Sequence, residues 1–175
     1  MLERVYRLRV EAWRARMSEF PPIGIWTDAF DAVGRHWVIL DAGEPVAAAR
    51  LTVHDRLAEA PNAEVYRDVL PHDLAGPIGV LTRLVVRKSH GSRGLSALLD
   101  RSRIEAADAC GCRYLIGETF AGMPRFDQMR SLGFEAAGPA SPYSDGPLRA
   151  VKGMGGDRLA MIVTRSRGDE PLRRR

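Results

Sequence analysis

The segment VLTRLVVRKSHGSRGLSALLDRSRIEAADACGCRYLIGE, residues 80–118, constrains the fold more than any other part of the chain. It opens as an apolar run over 80–86 and passes through a basic stretch holding Gly91 and Gly94. Leu95, Leu98, Leu99, Ser102, Ala106 and Ala109 then recur at helical spacing before Gly111, which suits the position just past a helix end. Residues 113–118 read as a further strand. Two strands joined through a helix run parallel by a right-handed crossover. A strand, loop, helix, strand unit of an α/β fold is therefore predicted.

The flanking segments extend this unit. Tyr6, Val10, Trp13 and Met17 share one helical face, with arginines on the other sides, so residues 5–17 predict an amphipathic first helix stopped by Pro21 and Pro22. Residues 36–40 and 45–53 read as two strands around the turn Asp41-Ala42-Gly43-Glu44, with Val46, Ala48, Arg50 and Thr52 on one face. A short helix is expected over 63–70. Pro124 suits a first helical turn, Phe126, Met129 and Leu132 give a buried stripe, and Gly133 closes that helix. The Gly- and Pro-rich residues 138–156 read as a long loop before a last strand over 158–164.

With 175 residues and 45% hydrophobic side chains the chain can bury one substantial core, and a single domain over 1–164 is expected. The net charge of +4 is concentrated in the tail RSRGDEPLRRR, which leaves 21 basic against 20 acidic residues over 1–164. Residues 165–175 are read as a solvated, disordered basic tail, and the near-neutral body argues against nucleic-acid binding. A charged N-terminus and the lack of any apolar run of about 18 residues predict a cytoplasmic protein that does not engage a membrane. Cys110 and Cys112 are too close for an easy disulfide and read as reduced bystanders. No spacing of histidines and acids suggests a metal, and no G-x-S-x-G motif is present.

The loop after the first crossover strand has chemistry of its own. Small residues before a helix can expose several unpaired N–H groups at its N-terminus, where the helix dipole also favours an anion. Gly91 and Gly94 allow close backbone approach, Arg87, Lys88 and Arg93 supply positive charge, and His90 lies among them. A diphosphate suits such a loop; so does plain solvent around a strand-to-helix turn. Arg50 and Arg83, set inside apolar strands, require anionic partners. Asp28 or Asp31 would serve structurally, and a carboxylate on a substrate would serve functionally.

The stretch LVVRKSHGSRGLSALLD, followed after a strand by FDQMRSLGF, resembles the acyl-CoA-binding core of the GNAT superfamily of N-acyltransferases. In that family a loop of the form Arg/Gln-x-x-Gly-x-Gly/Ala holds the CoA diphosphate through its amides. Matched to it, Gly91 stands where Arg or Gln is usual, Gly94 takes the central glycine and Ser96 the last small residue, while Leu132-Gly133-Phe134 fits directly. The resemblance implies an α/β fold with a mixed, mostly antiparallel sheet, a central parallel strand pair and flanking helices. It also implies an acyl-CoA cleft formed by Leu84, Val85, Val86, Arg87, Gly91, Ser92, Arg93, Gly94, Leu95 and Ser96, with a main-chain N–H near Leu84 to Val86 polarising the thioester.

A looser echo joins LRVEAW, DAFD and HWVILDAGEPVAAARL to the acyl-homoserine-lactone and acyl-amino-acid synthase branches, which would place Asp28, Asp31, Arg50 and Arg83 near the acceptor; the glutamate expected before Arg83 is Val80. The tyrosine that many relatives use as an acid is Met129 here, and the usual asparagine is Met123. Glu118, Asp28 and Asp31 are left as candidate proton acceptors, and Arg50, Arg83 and Trp26 as candidate acceptor-binding groups. The expected reaction is transfer of an acetyl or larger acyl group from acyl-CoA, without metal, to a small amine, an amino acid being one candidate. Two alternatives stay open, a synthase fed by acyl carrier protein and a non-catalytic acyl-CoA sensor, and so does a homodimer.

Overall fold

The computed structural model describes residues 1–17, 20–71, 73–142 and 157–165. A helix Leu2–Arg14 (α1) leads through a short 3-10 turn, Ala29–Asp31, into the strands Arg35–Asp41 (β1) and Glu44–Arg56 (β2). The helix Ala63–Tyr66 (α2), the strand Ala75–Val86 (β3), the helix Leu95–Ala109 (α3) and the strand Tyr114–Phe120 (β4) follow. Helix Pro124–Ser131 (α4) and strands Glu135–Pro139 (β5) and Arg158–Thr164 (β6) complete the order. The six strands form one sheet, β1-β2-β3-β4-β6-β5. Among the described strands only β3 and β4 run parallel, so the expected mixed α/β sheet is present.

Alternation along the strands assigns each helix to a face. Ala47, Ala49 and Leu51 of β2 point toward α3 and α4, where Leu99, Ile104, Ala107, Met129 and Phe134 pack. The intervening Ala48 points the other way and meets Val5, Leu8 and Ala12 of α1, beside Val85. Further along this second face, Tyr66 and Val65 of α2 cover Ile78, Val80, Ile116, Ala160 and Ile162. β2 is buried from Pro45 to Thr52 on both sides, as a central strand must be.

Ala42 and Gly43 make the expected hairpin turn, both with positive φ (46° and 80°). The chain departs from the sequence reading at several places, and β3 begins at Ala75, five residues before the apolar run over 80–86. α1 ends at Arg14 rather than near Met17, and Arg9 lies on its buried face because Asp31 is there to receive it. In α3, Leu98 is 54% exposed while Asp100 and Arg103 are buried, a pair whose mutual hydrogen bond makes burial tolerable. The short helix expected over 63–70 ends at Tyr66. Residues 135–139, reaching into the expected loop, add β5 to the sheet edge; residues 143–156 of that loop and 166–175 of the tail lie outside the described residues. Among the described residues no helix is long and apolar enough to cross a membrane.

Candidate active site

β3 and β4 pair only at Ile78↔Tyr114, Gly79↔Leu115 and Val80↔Ile116. Beyond these pairs the strands part, β3 continuing to Val86 and β4 to Phe120. A bulge accompanies the split: Ala48 pairs with Val85 and Arg50 with Thr82, so Ala49 faces both Arg83 and Leu84. Arg83 takes φ +55°, a conformation costing a non-glycine residue about 1–3 kcal/mol. The extra residue re-phases the strand. Ile78 and Val80 face α2 and Leu81 faces α3, yet after the bulge Val85 turns to α1 and Leu84 and Val86 turn to α3.

A cavity of about 370 Å³ occupies the split, with walls from both faces. On the α3 side it is bounded by Gly91, Ser92, Gly94, Leu95 and Ser96, joined by His90 and by Met123, Pro124 and Arg125 at the start of α4. Gly94 caps α3 with φ +71°, and a Cβ added there would meet no protein atom within 4 Å. The first backbone bond of that helix runs from Leu98 N to Gly94 O (3.0 Å). Among the described residues nothing accepts from the amides of Ser92 through Ala97, which leaves these N–H groups unpartnered at the N-terminal end of α3.

The opposite wall belongs to the α1 and α2 side: Trp13, Arg16, Trp26, Asn62, Glu118 and Arg158. Glu118 alternates with Gly117 along β4 and so points away from α3. It accepts from Tyr66 Oη (3.0 Å) and lies 3.5 Å from Arg158 Nε. Among the described residues it is the single carboxylate in the wall.

The acids and arginines read from sequence form a ladder behind this wall. Asp31, almost fully buried, accepts from both Nη atoms of Arg9 (2.8 and 2.9 Å) and from Arg50 Nη1 (2.8 Å). Asp28 caps the 3-10 turn through Phe30 N (2.9 Å) and accepts from Arg50 (2.5 and 3.1 Å) and from Arg83. Burial raises the Asp31 carboxyl, but the hydrogen bond and charge of Arg9, the Asp28 N–H and Arg50 outweigh it and hold the group far below the usual carboxylate range. Asp28 is likewise raised by burial and more strongly lowered by Arg50 and Arg83.

Of the expected cleft residues, Leu84, Val86, Gly91, Ser92, Gly94, Leu95 and Ser96 line the cavity. Val85 does not, because the bulge turns it into the α1 core. Arg87 reaches instead to Pro45 O (3.2 Å) and Glu11 (3.3 Å), and Arg93 is exposed outside the wall. Arg83, Trp26 and Glu118 are in the wall; Asp28, Asp31 and Arg50 are not. Met129 is in the core, its methyl close against Gly117. Sequence reading missed Arg16, Asn62, Arg125 and Arg158. Arg158 arrives through the antiparallel register Phe120↔Arg158, which no local pattern encodes.

The acetyltransferase (GNAT) family model matches residues 2–128. Among solved structures, the chain is similar to the CoA-dependent acyl-homoserine lactone synthase BjaI, with SAM and isopentyl-CoA (19% identity, TM-score 0.64, 95% of this chain and 76% of that one). It is also similar to FeeM, an N-acyl amino acid synthase from uncultured soil microbes (12%, 0.65, 93% and 90%). A third is the ribosomal-protein-S18-alanine N-acetyltransferase from Escherichia coli (18%, 0.54, 94% and 92%). At these identities the shared property is the fold. No curated protein matches the chain.

Proposed function

Because the chain belongs to the acetyltransferase (GNAT) family, whose members are acyl-CoA-dependent acyltransferases, we propose that it transfers a short acyl group from acyl-CoA to the amine of a small molecule by direct attack in a ternary complex. The observation that carries this reading is the split after Val80 and Ile116, with unpartnered α3 amides at one end and Glu118 at the other. The CoA diphosphate rests on the amides from Ser92 to Ala97, and the pantetheine arm runs along the edge of β3 that β4 has left. The thioester oxygen meets the main-chain N–H at the bulge, where developing negative charge is stabilised.

The amine approaches from the α1 and α2 side between Trp26 and Glu118. Its nitrogen attacks the thioester carbon; the tetrahedral adduct collapses by breaking the carbon–sulfur bond. The nitrogen loses a proton to Glu118 by way of water, and the departing thiolate takes one from solvent, since Met129 supplies none. A short acyl group is favoured because Met129 and Leu81 fill the space beneath Gly117.

Titration with acetyl-CoA, CoA and pantetheine, followed by thermal shift, tests the donor half. CoA and acetyl-CoA are expected to raise Tm and pantetheine to raise it far less. Equal responses to pantetheine and CoA would favour an acyl-carrier-protein donor, which lacks the nucleotide. Thiol release from acetyl-CoA with a panel of amines tests catalysis, and binding without release would favour an acyl-CoA sensor.

A further inference from the structure

Arg103 of α3 stands behind the cavity wall, and its side chain is fully buried. Nη1 donates to two main-chain oxygens on neighbouring strands, Arg50 O (3.1 Å) and Thr82 O (3.2 Å). Nη2 donates to Asp100, one turn back on the same helix. Asp100 also accepts from Arg125 (2.5 and 3.2 Å) and from Gln128 of α4, and Gln128 Oε1 accepts from Ser96 Oγ (2.9 Å) in the first turn of α3. Arg125 and Ser96 line the donor end of the cavity.

Joining α3 to the sheet does not require a guanidinium. Leu99, Ile104 and Ala107 do so on the same face with apolar atoms, without the desolvation that a buried cation incurs. An apolar side chain cannot, however, hold two carbonyl oxygens. Arg50 and Thr82 are the last pair in register before the bulge, and the Thr82 carbonyl belongs to the same peptide unit as the Arg83 N–H. A left-handed Arg83 persists only if its surroundings hold it from both sides. Asp28 and Trp26 hold the side chain from one face, and Arg103 holds the preceding peptide from the other.

We propose that Arg103 is a positioning residue for acyl transfer: it fixes the Thr82–Arg83 peptide, so directs the bulge N–H at the thioester oxygen, and through Asp100 ties that setting to Arg125 and Ser96. This rests on the reading that the thioester carbonyl lies at the bulge. The carbonyl itself is the probe. Difference infrared spectroscopy of acetyl-CoA carrying 13C at the carbonyl, bound at saturation to the full chain, needs no acceptor.

In the unaltered protein the thioester stretch is expected below its frequency in free acetyl-CoA. Arg103→Met is expected to lose at least half of that displacement with ligand still bound. Arg103→Lys, which keeps the charge and one donor direction, is expected to retain an intermediate value. Where the Met variant fails to fold, Arg103→Lys and Asp100→Asn carry the same readout. In turnover the loss is expected in kcat, roughly tenfold to a hundredfold, with KM for acetyl-CoA little changed. A full displacement in folded variants overturns the role of Arg103 and leaves the acyl-CoA reading standing. No displacement in the unaltered protein, or no binding of acetyl-CoA, overturns both.

Discussion

The guanidinium carbon of Arg83 lies 4.4 Å from the centre of the Trp26 ring, while its Nε and Nη2 donate to Asp28. This clamp holds a side chain whose own backbone is left-handed. Arg83→Ala and Arg83→Gly lose the same contacts, but only glycine adopts φ +55° freely. Arg83→Gly is expected to be more stable than Arg83→Ala by about 1 kcal/mol in urea unfolding, the reverse of the usual order within a strand. The usual order would mean that residue 83 is not left-handed.

Asp28, Asp31 and Asp100 are all held below the ordinary carboxylate range, each raised by burial and lowered further by arginines. A depressed folded pKa stabilises the protein above the unfolded value, near pH 4, and that stability fades as pH falls through the folded value. The urea midpoint is expected to hold from pH 7 to about 5 and to decline below about 4. Asp31→Asn leaves Arg9 without its carboxylate partner and Arg50 with Asp28 alone, and a loss of about 3 kcal/mol at pH 7 with a shallower acid decline is expected. A variant as acid-sensitive as the parent would show that Asp31 is not the group being titrated.

Gly94→Ala places a methyl group at φ +71° in space that no protein atom fills. The cost to folding is expected to be about 1 kcal/mol. CoA affinity should fall about tenfold or more, because the methyl and the strained cap disturb the amide cradle, while pantetheine affinity stays the same. Calorimetric titration of both ligands checks this, and parallel losses would remove the diphosphate from Gly94.

Met129 lies under Gly117, whose added Cβ would come within 3.0 Å of the Met129 methyl. Met129→Ala opens that space. Hexanoyl-CoA binding is expected to improve relative to acetyl-CoA, at a stability cost of about 2–4 kcal/mol. Unchanged chain-length preference in thermal shift would separate the acyl path from Met129.

The two cysteines differ in environment. Cys110 is exposed; Cys112 is buried, and burial together with the charges of Cys110 and Asp108 pushes its thiol up to about 11. One thiol per chain is expected to react promptly with a disulfide reagent at pH 8, the second only on unfolding. Prompt reaction of both would mean that Cys112 is accessible.

Much of the fold is legible in local pattern because its signals lie within single elements. The apolar run before Gly91, the helical spacing from Leu95, the Ala42-Gly43 turn and the Pro124 to Gly133 helix depend on neighbours one turn or one pleat away. The same holds for Gly94, whose place before a helix assigns it to an N-terminus whatever lies above it. What the sequence by itself determined was thus the order of strands and helices apart from β5, the crossover, and the place of Gly94 ahead of α3.

Tertiary structure decided the rest, since those properties depend on register between distant segments. The parting of β3 from β4 after three pairs, the bulge that turns Val85 from the cleft, and the arrival of Arg158 opposite Phe120 are relations across the sheet. Two buried arginines show the same limit: periodicity assigns charge to solvent, and Arg9 and Arg103 lie inside because Asp31 and Asp100 meet them there, whereas Arg50 was legible as a buried cation in need of Asp28 or Asp31. A guanidinium can leave water when folding supplies its partners, and those partners come from other elements or from the far side of a turn.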